Sequence, residues 1–207
     1  MNKLTYLMCS FILLSVFVAC STEEQTTSVD KEKVEFVTQS KNSEVRKAAY
    51  RLLTPEEKYF IWNERVDYII TNEDLTTEQT VFMNKLKADL NSKVFIHNSP
   101  DNISFKSNYT NSKLEIFHPI QGYYYFGTLA SMVDNGKWSS ISDGGGAASF
   151  YDNLVLAPGD PNDGNHCTCN QGSIVNPGCE TDCPADKQTN ECGFLFIWEC
   201  NGYMPVI

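Results

Sequence analysis

The last stretch of the chain, residues 159–207, reads GDPNDGNHCTCNQGSIVNPGCETDCPADKQTNECGFLFIWECNGYMPVI. It holds six of the eight cysteines: Cys167, Cys169, Cys179, Cys183, Cys192 and Cys200. The other two, Cys9 and Cys20, belong to an N-terminal segment with the marks of a processed leader. A segment this short buries too little surface to hold a core alone, and cross-links are the usual remedy. An even number of cysteines in an exported chain reads as a disulfide framework.

Six cysteines allow 15 pairings. Cys167 and Cys169 are separated by one residue, and a bridge between them closes a strained ring. Between Cys192 and Cys200 lies Gly193-Phe194-Leu195-Phe196-Ile197-Trp198-Glu199, whose apolar centre reads as a buried strand. A straight strand rises roughly 3.3 Å per residue, which carries Cys192 and Cys200 beyond the roughly 7 Å Cα limit of a bridge. Excluding both pairs leaves about ten connectivities open. Asn201-Gly202 after the strand is a tight-turn signal. The rival reading is zinc, since Cys-x-Cys, Cys-x3-Cys and His166 supply suitable atoms. Zinc sites more often use Cys-x2–4-Cys knuckles in reducing compartments, so disulfides are the better reading and no metal is assigned.

The pattern Cys167-Thr168-Cys169 with Cys192-Gly193 and Trp198-Glu199-Cys200-Asn201-Gly202 resembles that of fulvocin C, a small disulfide-rich bacteriocin. The fulvocin C-related bacteriocin family places such a tail after a longer N-terminal region. Leu53-Thr54-Pro55-Glu56-Glu57-Lys58 with Trp62, then Leu75-Thr76-Thr77-Glu78-Gln79, is similar to that region. Fulvocin C has eight cysteines, so this tail lacks one bridge by comparison, and the spacings between the matched ends differ. The resemblance implies a bacteriocin-like protein or precursor with antibacterial activity.

At the other end, Met1-Asn2-Lys3 is a short charged start, and Leu4 to Ala19 is largely apolar but too short to span a bilayer. Residues 1–19 read as a secretory signal. Phe17-Val18-Ala19-Cys20 resembles a bacterial lipobox, with Phe17 at the position usually held by leucine. Cys20 then becomes the lipid-modified N-terminus, its thiol consumed by the thioether. The alternative is an ordinary signal peptide with an incidental cysteine. Residues 20–42 are polar, rich in Ser, Thr, Glu and Gln, and read as a flexible tether. Ser21-Thr22-Glu23-Glu24 is either a surface-export signal of the kind some lipoproteins carry or a solvated linker.

Residues 43–158 read as a mainly helical domain. Ser43 caps a short helix with Val45, Ala48, Ala49 and Leu52 on one face. Thr54-Pro55-Glu56-Glu57 places Thr at the N-cap, Pro at the first helical position and Glu at the third. Tyr59, Trp62, Val66 and Ile69 follow as an apolar stripe, which makes Trp62 a core residue rather than a functional aromatic. Thr76-Thr77-Glu78-Gln79 starts a third helix with Phe82, Met83, Leu86 and Leu90 inside. Residues 93–97 and 113–117 read as short strands or helix ends, and Ser99-Pro100-Asp101-Asn102 and residues 108–112 as loops. Residues 121–132, with Tyr123-Tyr124-Tyr125-Phe126, read as a buried helical segment. The expected class is mainly α, a small helical bundle, with a short disulfide-rich module (residues 159–207) containing a β-hairpin.

No motif in the chain demands catalysis or a cofactor. Asp143-Gly144-Gly145-Gly146 lacks the Lys-Ser/Thr of a P-loop and reads as a loop. Residues 160–165 are dense in calcium-type oxygens, but the glycine falls one position early for an EF-hand, leaving a linker. His97, His118 and His166 form no paired-histidine motif, and no Gly-x-Ser-x-Gly elbow exists. The net charge of −10 and pI near 4.7 oppose nucleic acid and anionic membrane surfaces as partners. From Asp160 on, seven acids (Asp160, Asp163, Glu180, Asp182, Asp186, Glu191, Glu199) face Lys187 alone. A killing tail of this charge needs hydrophobic insertion through Phe194 to Trp198, or a specific receptor. Three functions follow: a fulvocin C-related bacteriocin or precursor, a surface-anchored lipoprotein that binds a protein or cell-envelope target, and, as the residual class, an enzyme with its site in residues 93–158. The sequence favours a non-enzyme, held to the membrane through Cys20 at the bacterial outer membrane or cell surface, with or without a released C-terminal fragment.

Overall fold

The computed structural model describes residues 29–40, 43–129, 132, 167, 169, 170, 179 and 181–203. The protein is mainly helical, with a small antiparallel hairpin among disulfide-linked cysteines at the C-terminal end. The helices are α1 (Lys31–Gln39), α2 (Ser43–Arg51), α3 (Pro55–Asn72), α4 (Thr77–Asp89), α5 (Pro100–Asn108), α6 (Asn111–Leu114) and α7 (Pro119–Phe126). A 3-10 turn spans Ser92–Phe95.

The two longest helices begin where the sequence says they begin. Thr54 accepts a hydrogen bond from the Glu57 N–H, and Glu57 accepts one from the Thr54 N–H at 2.8 Å, a reciprocal capping box. Thr76 and Gln79 repeat the arrangement at the start of α4. Along α3, Trp62, Val66 and Ile69 are buried, and along α4 so are Met83 and Leu86, with Leu90 at its C-cap. α7 covers them with Tyr124, Tyr125 and Phe126, all buried.

Several expectations need correction. The tether is helical over Lys31–Gln39, and Val34 and Val37 are buried against the bundle. Asp30 caps this helix, and the Asp30 N–H reaches the Glu57 carboxylate at 3.3 Å. Two apolar residues three apart give a faint helical signal that a polar composition hides. In α2 the buried face is Tyr50, continuing to Leu53, while Val45 and Leu52 are exposed. The helix turns its aromatic inward because Tyr50 buries more surface than a valine. Ser99-Pro100 is no loop but the N-cap and first residue of α5. Residues 93–97 hold the 3-10 turn rather than a strand, and of the two readings for residues 113–117, strand or helix end, the second holds, at the end of α6.

The tail contains β1 (Thr181–Asp182), β2 (Thr189–Cys192), β3 (Trp198–Cys200) and β4 (Gly202–Tyr203). β2 pairs antiparallel with β3, and β1 with β4. The chain does not reverse at Asn201-Gly202, since β3 and β4 belong to different pairs. Asn201 and Gly202 instead donate to the Cys169 carbonyl. The three bridges are Cys167–Cys183, Cys169–Cys179 and Cys192–Cys200, with Cα separations of 5.8, 6.0 and 5.1 Å. The exclusion of a Cys167–Cys169 bridge holds. The exclusion of Cys192–Cys200 does not, because residues 193–199 are not a straight strand. Gly193 (φ +68°) opens a 3-10 turn over Phe194–Phe196 that folds the chain back on itself. A Cβ at Gly193 would lie 3.3 Å from Asn170 and Trp198 side-chain atoms, in a backbone conformation that side chains disfavour.

Candidate functional site

The bridge Cys192–Cys200 closes a loop whose apolar residues go into the helical core. Phe194, Leu195, Phe196 and Ile197 are each buried and join the same cluster as Trp62, Ile69 and Leu86. Phe196 stands edge-on to Tyr50 and Trp62, with centroids 5.5 and 5.7 Å apart. Phe194 lies 5.9 Å from Tyr109 and 4.9 Å from Phe126. The loop and the strand residue just before it are strained: Leu195 and Phe196 have φ of 52° and 55°, and Glu191 has φ of 78°. Left-handed backbone in residues other than glycine costs on the order of 1–3 kcal/mol each, and such strain gathers where geometry serves a function.

Ion pairs fasten the loop's edges. Lys58, 8% exposed, pairs with Glu191, and Arg51 approaches the same carboxylate at 3.8 Å. Lys106 donates to Glu199 at 2.8 Å and lies 5.5 Å over the Trp198 ring. Burial pushes the Glu199 carboxyl upward, but the bonds and charge of Lys106 outweigh it, and it ends below its ordinary value. Two of the tail's acids are thus spent on bundle cations.

Between the loop and the bundle runs a cleft of about 190 Å³. Phe95, Phe196 and Ile197 supply its apolar wall, Lys58, Asn102 and Glu191 its polar one, and exposed His97 stands beside them. Asn102 is 2% exposed. Its Nδ2 donates to the Val94 carbonyl at 2.7 Å, and its buried Oδ1 has no hydrogen-bond partner among the described residues. A buried acceptor left unpaired costs about 1–3 kcal/mol, so this atom calls for a donor.

A second polar centre lies under α7. Arg65 donates through Nε to the Tyr125 carbonyl at 2.7 Å and through Nη2 to that of Tyr124. A cation at a helix C-terminus answers the free carbonyls and the dipole. Burial lowers the Arg65 pKa to about 10. Tyr125 donates to Glu73 at 2.8 Å, and Gln79 donates to the Ile116 carbonyl at 3.0 Å. These bonds end inside the protein: those of Arg65 and Glu73 fix α7 on α3, and that of Gln79 ties α4 to the segment just before α7.

No family model, curated protein or solved structure matches the chain.

All six tail cysteines are bridged, which assigns their sulfurs to the framework. The disulfides Cys167–Cys183 and Cys192–Cys200 pack against each other. No group of three or more His, Cys, Asp or Glu suited to a metal occurs among the described residues. No helix among them is long and apolar enough to cross a membrane. Residues 1–19, read above as a secretory signal, and Cys20, the glycine run from Asp143, the oxygen-rich stretch from Asp160 and His166 lie outside the described residues. His118 occupies the N-cap position of α7 without a side-chain capping bond, and His97 reaches the cleft. Sequence reading missed Lys58, Asn102 and Glu191. Only Asn102 carries a signal, as a polar residue inside a helix that begins at Ser99-Pro100, and that helix start was itself overlooked.

Proposed function

We propose that this is an exported bacterial lipoprotein, anchored through Cys20, whose stapled tail and helical bundle act as one binding body. Its target is a protein or other component of the cell envelope, and no catalysis or cofactor is required. The observation that supports this reading is the burial of Phe194 to Ile197 among the helices. A tail built for release would have to withdraw four apolar side chains from the core and carry them into water. The acidic surface argues against nucleic acid as the partner.

A second reading is a fulvocin C-related bacteriocin or its precursor. The cysteine pattern from Cys167 to Cys200 with Trp198-Glu199 favours it, as does the three-bridge tail. The bundle is then a carrier, and the acidic tail acts through a receptor or an apolar insertion rather than as a cationic membrane disruptor.

Intact-mass analysis of culture medium and of the cell-surface fraction separates the two. Full-length lipidated chain on the cell supports the anchored binding body. A released fragment of roughly 40–50 residues, about 6 Da lighter than its reduced mass, supports the precursor and refutes the first reading.

A further inference from the structure

We propose that the outer face of α2 docks on the anionic lipid surface of the membrane that holds Cys20. The proposal rests on the reading of the protein as a lipoprotein anchored through Cys20, and it says which side of the body turns towards the lipid.

Three observations carry it. The first is an apolar stripe turned away from the core. Val45, Ala48 and Leu52 are exposed, Leu52 at 83%, while Tyr50 and Leu53 are buried. At about 100° per residue the three lie within roughly 60° of one another, on the side of the helix opposite Tyr50. Leu52 continues the face past the end of α2, since its N–H donates to the Ala49 carbonyl at 3.0 Å. Single exposed apolar residues are ordinary, but a stripe along one helix face is the form that an interfacial helix takes.

The second is charge. Residues 31–52 carry six cations, Lys31, Lys33, Lys41, Arg46, Lys47 and Arg51, against three acids, in a chain whose net charge is −10. The chain as a whole opposes an anionic surface, and this segment is the exception. Asp30 answers Lys33 in part, and Glu191 approaches Arg51 at 3.8 Å, but Arg46 donates to a neutral acceptor, the Ser40 carbonyl. Anionic headgroups attract a basic segment at the surface, while acids farther off are screened beyond about 8 Å at physiological salt.

The third is where the anchor enters. Cys20 precedes Asp30 by ten residues, at most about 36 Å of chain. The Glu57 carboxylate accepts from both the Asp30 and the Thr54 N–H, so the chain enters the body beside the turn that follows Leu52. A body on so short a link meets the bilayer repeatedly. The face that gains most from contact is the one near the link that joins apolar side chains to positive charge.

The test uses the lipidated full chain in nanodiscs of phosphatidylethanolamine and phosphatidylglycerol, roughly 3:1, with a nitroxide on a lipid chain near the headgroup. Methyl NMR then reads the paramagnetic broadening of Val45 and Leu52 against that of Val81 and Ile103, which are exposed on α4 and α5. Broadening at Val45 and Leu52 should exceed that at Val81 and Ile103 several-fold, because the apolar face of an interfacial helix sinks about 5–10 Å into the headgroup and acyl boundary. Leu52→Glu should remove the excess at Val45, and replacing phosphatidylglycerol by phosphatidylcholine should at least halve it. Equal broadening at all four residues, or an excess that survives either change, would overturn the proposal. So would concentration-dependent broadening of Val45 and Leu52 without the nitroxide, which marks a second copy of the chain on this face. If the docking fails on a chain that carries its lipid, the anchored binding body stands. If intact mass shows no lipid on Cys20, both fall.

Discussion

Replacing Phe196 by alanine tests whether tail and bundle share one core. The ring is 6% exposed and packs edge-on against Tyr50 and Trp62, which are themselves joined by a hydrogen bond of 2.9 Å from Trp62 Nε1 to the Tyr50 hydroxyl. Truncating a buried phenylalanine costs about 3–5 kcal/mol, and this includes the loss of edge-to-face contacts worth about 0.5–1.5 kcal/mol each. Alanine keeps a Cβ, so the left-handed strain at this position remains. The loop is held at both ends by a bridge and can relax little, so the cost is at least the lower figure, about 3 kcal/mol. For a chain of this size that lowers Tm by roughly 6–12 °C. The assay is urea unfolding with the bridges intact, followed by tryptophan fluorescence and by far-ultraviolet circular dichroism of the helices. Both midpoints should fall together at unchanged slope. Phe36→Ala, at a residue 56% exposed, should stay within about 0.5 kcal/mol. A helical midpoint that does not move in Phe196→Ala would refute the shared core, because the tail would then be an independent unit.

Replacing Cys192 and Cys200 together by serine should destabilise the protein by about 2–3 kcal/mol from loop closure alone, read as a lower urea midpoint; an unchanged midpoint contradicts the pairing. Glu57→Ala removes the acceptor for both the Thr54 and Asp30 N–H groups, so hydrogen exchange should quicken across Lys31–Gln39 while α4 stays protected; equal rates would sink the anchoring role. Glu199 and Asp89 are held below the ordinary carboxylate range. At Asp89 burial pushes upward but the Lys85 and Tyr109 bonds prevail. Their contribution is therefore full above the unfolded carboxylate pKa, near 4, and is lost as pH falls through their lower folded values. Asp89→Asn should flatten that acid limb in a pH series of unfolding free energies. At the alkaline end, burial raises the Tyr50, Tyr109, Tyr124 and Tyr125 hydroxyls, so stability should decline as pH climbs past about 10; spectrophotometric titration showing all ten tyrosines ionising near 10 in the folded protein would refute it.

The candidate site shows where sequence reading stops. Lys58 reads as one more charge after a capping box, and Glu191 as one more acid in an acidic tail. They are separated by 133 positions, and no local pattern says that they meet. Asn102 is buried because α5 packs on the 3-10 turn, whose Val94 carbonyl accepts from its Nδ2. The reverse error came from Phe194 to Ile197. Its composition fits a strand, and a strand keeps Cys192 and Cys200 apart. The chain instead accepts left-handed residues so that both aromatics enter the core, a preference that depends on the cavity waiting between α2, α3, α5 and α7.

The helix starts at Thr54 and Thr76, the buried stripes of α3 and α4, the burial of Trp62, the mainly helical class and the disulfide character of the tail were all fixed locally. Each depends on residues within a turn or two of one another, or on a cysteine count. The cysteine pairing, the docking of Lys31–Gln39, the inward turn of Tyr50 and the insertion of the tail loop were decided only in three dimensions. In each case the deciding energy is burial or pairing against a partner far along the chain, and a sequence read in order does not carry that distance.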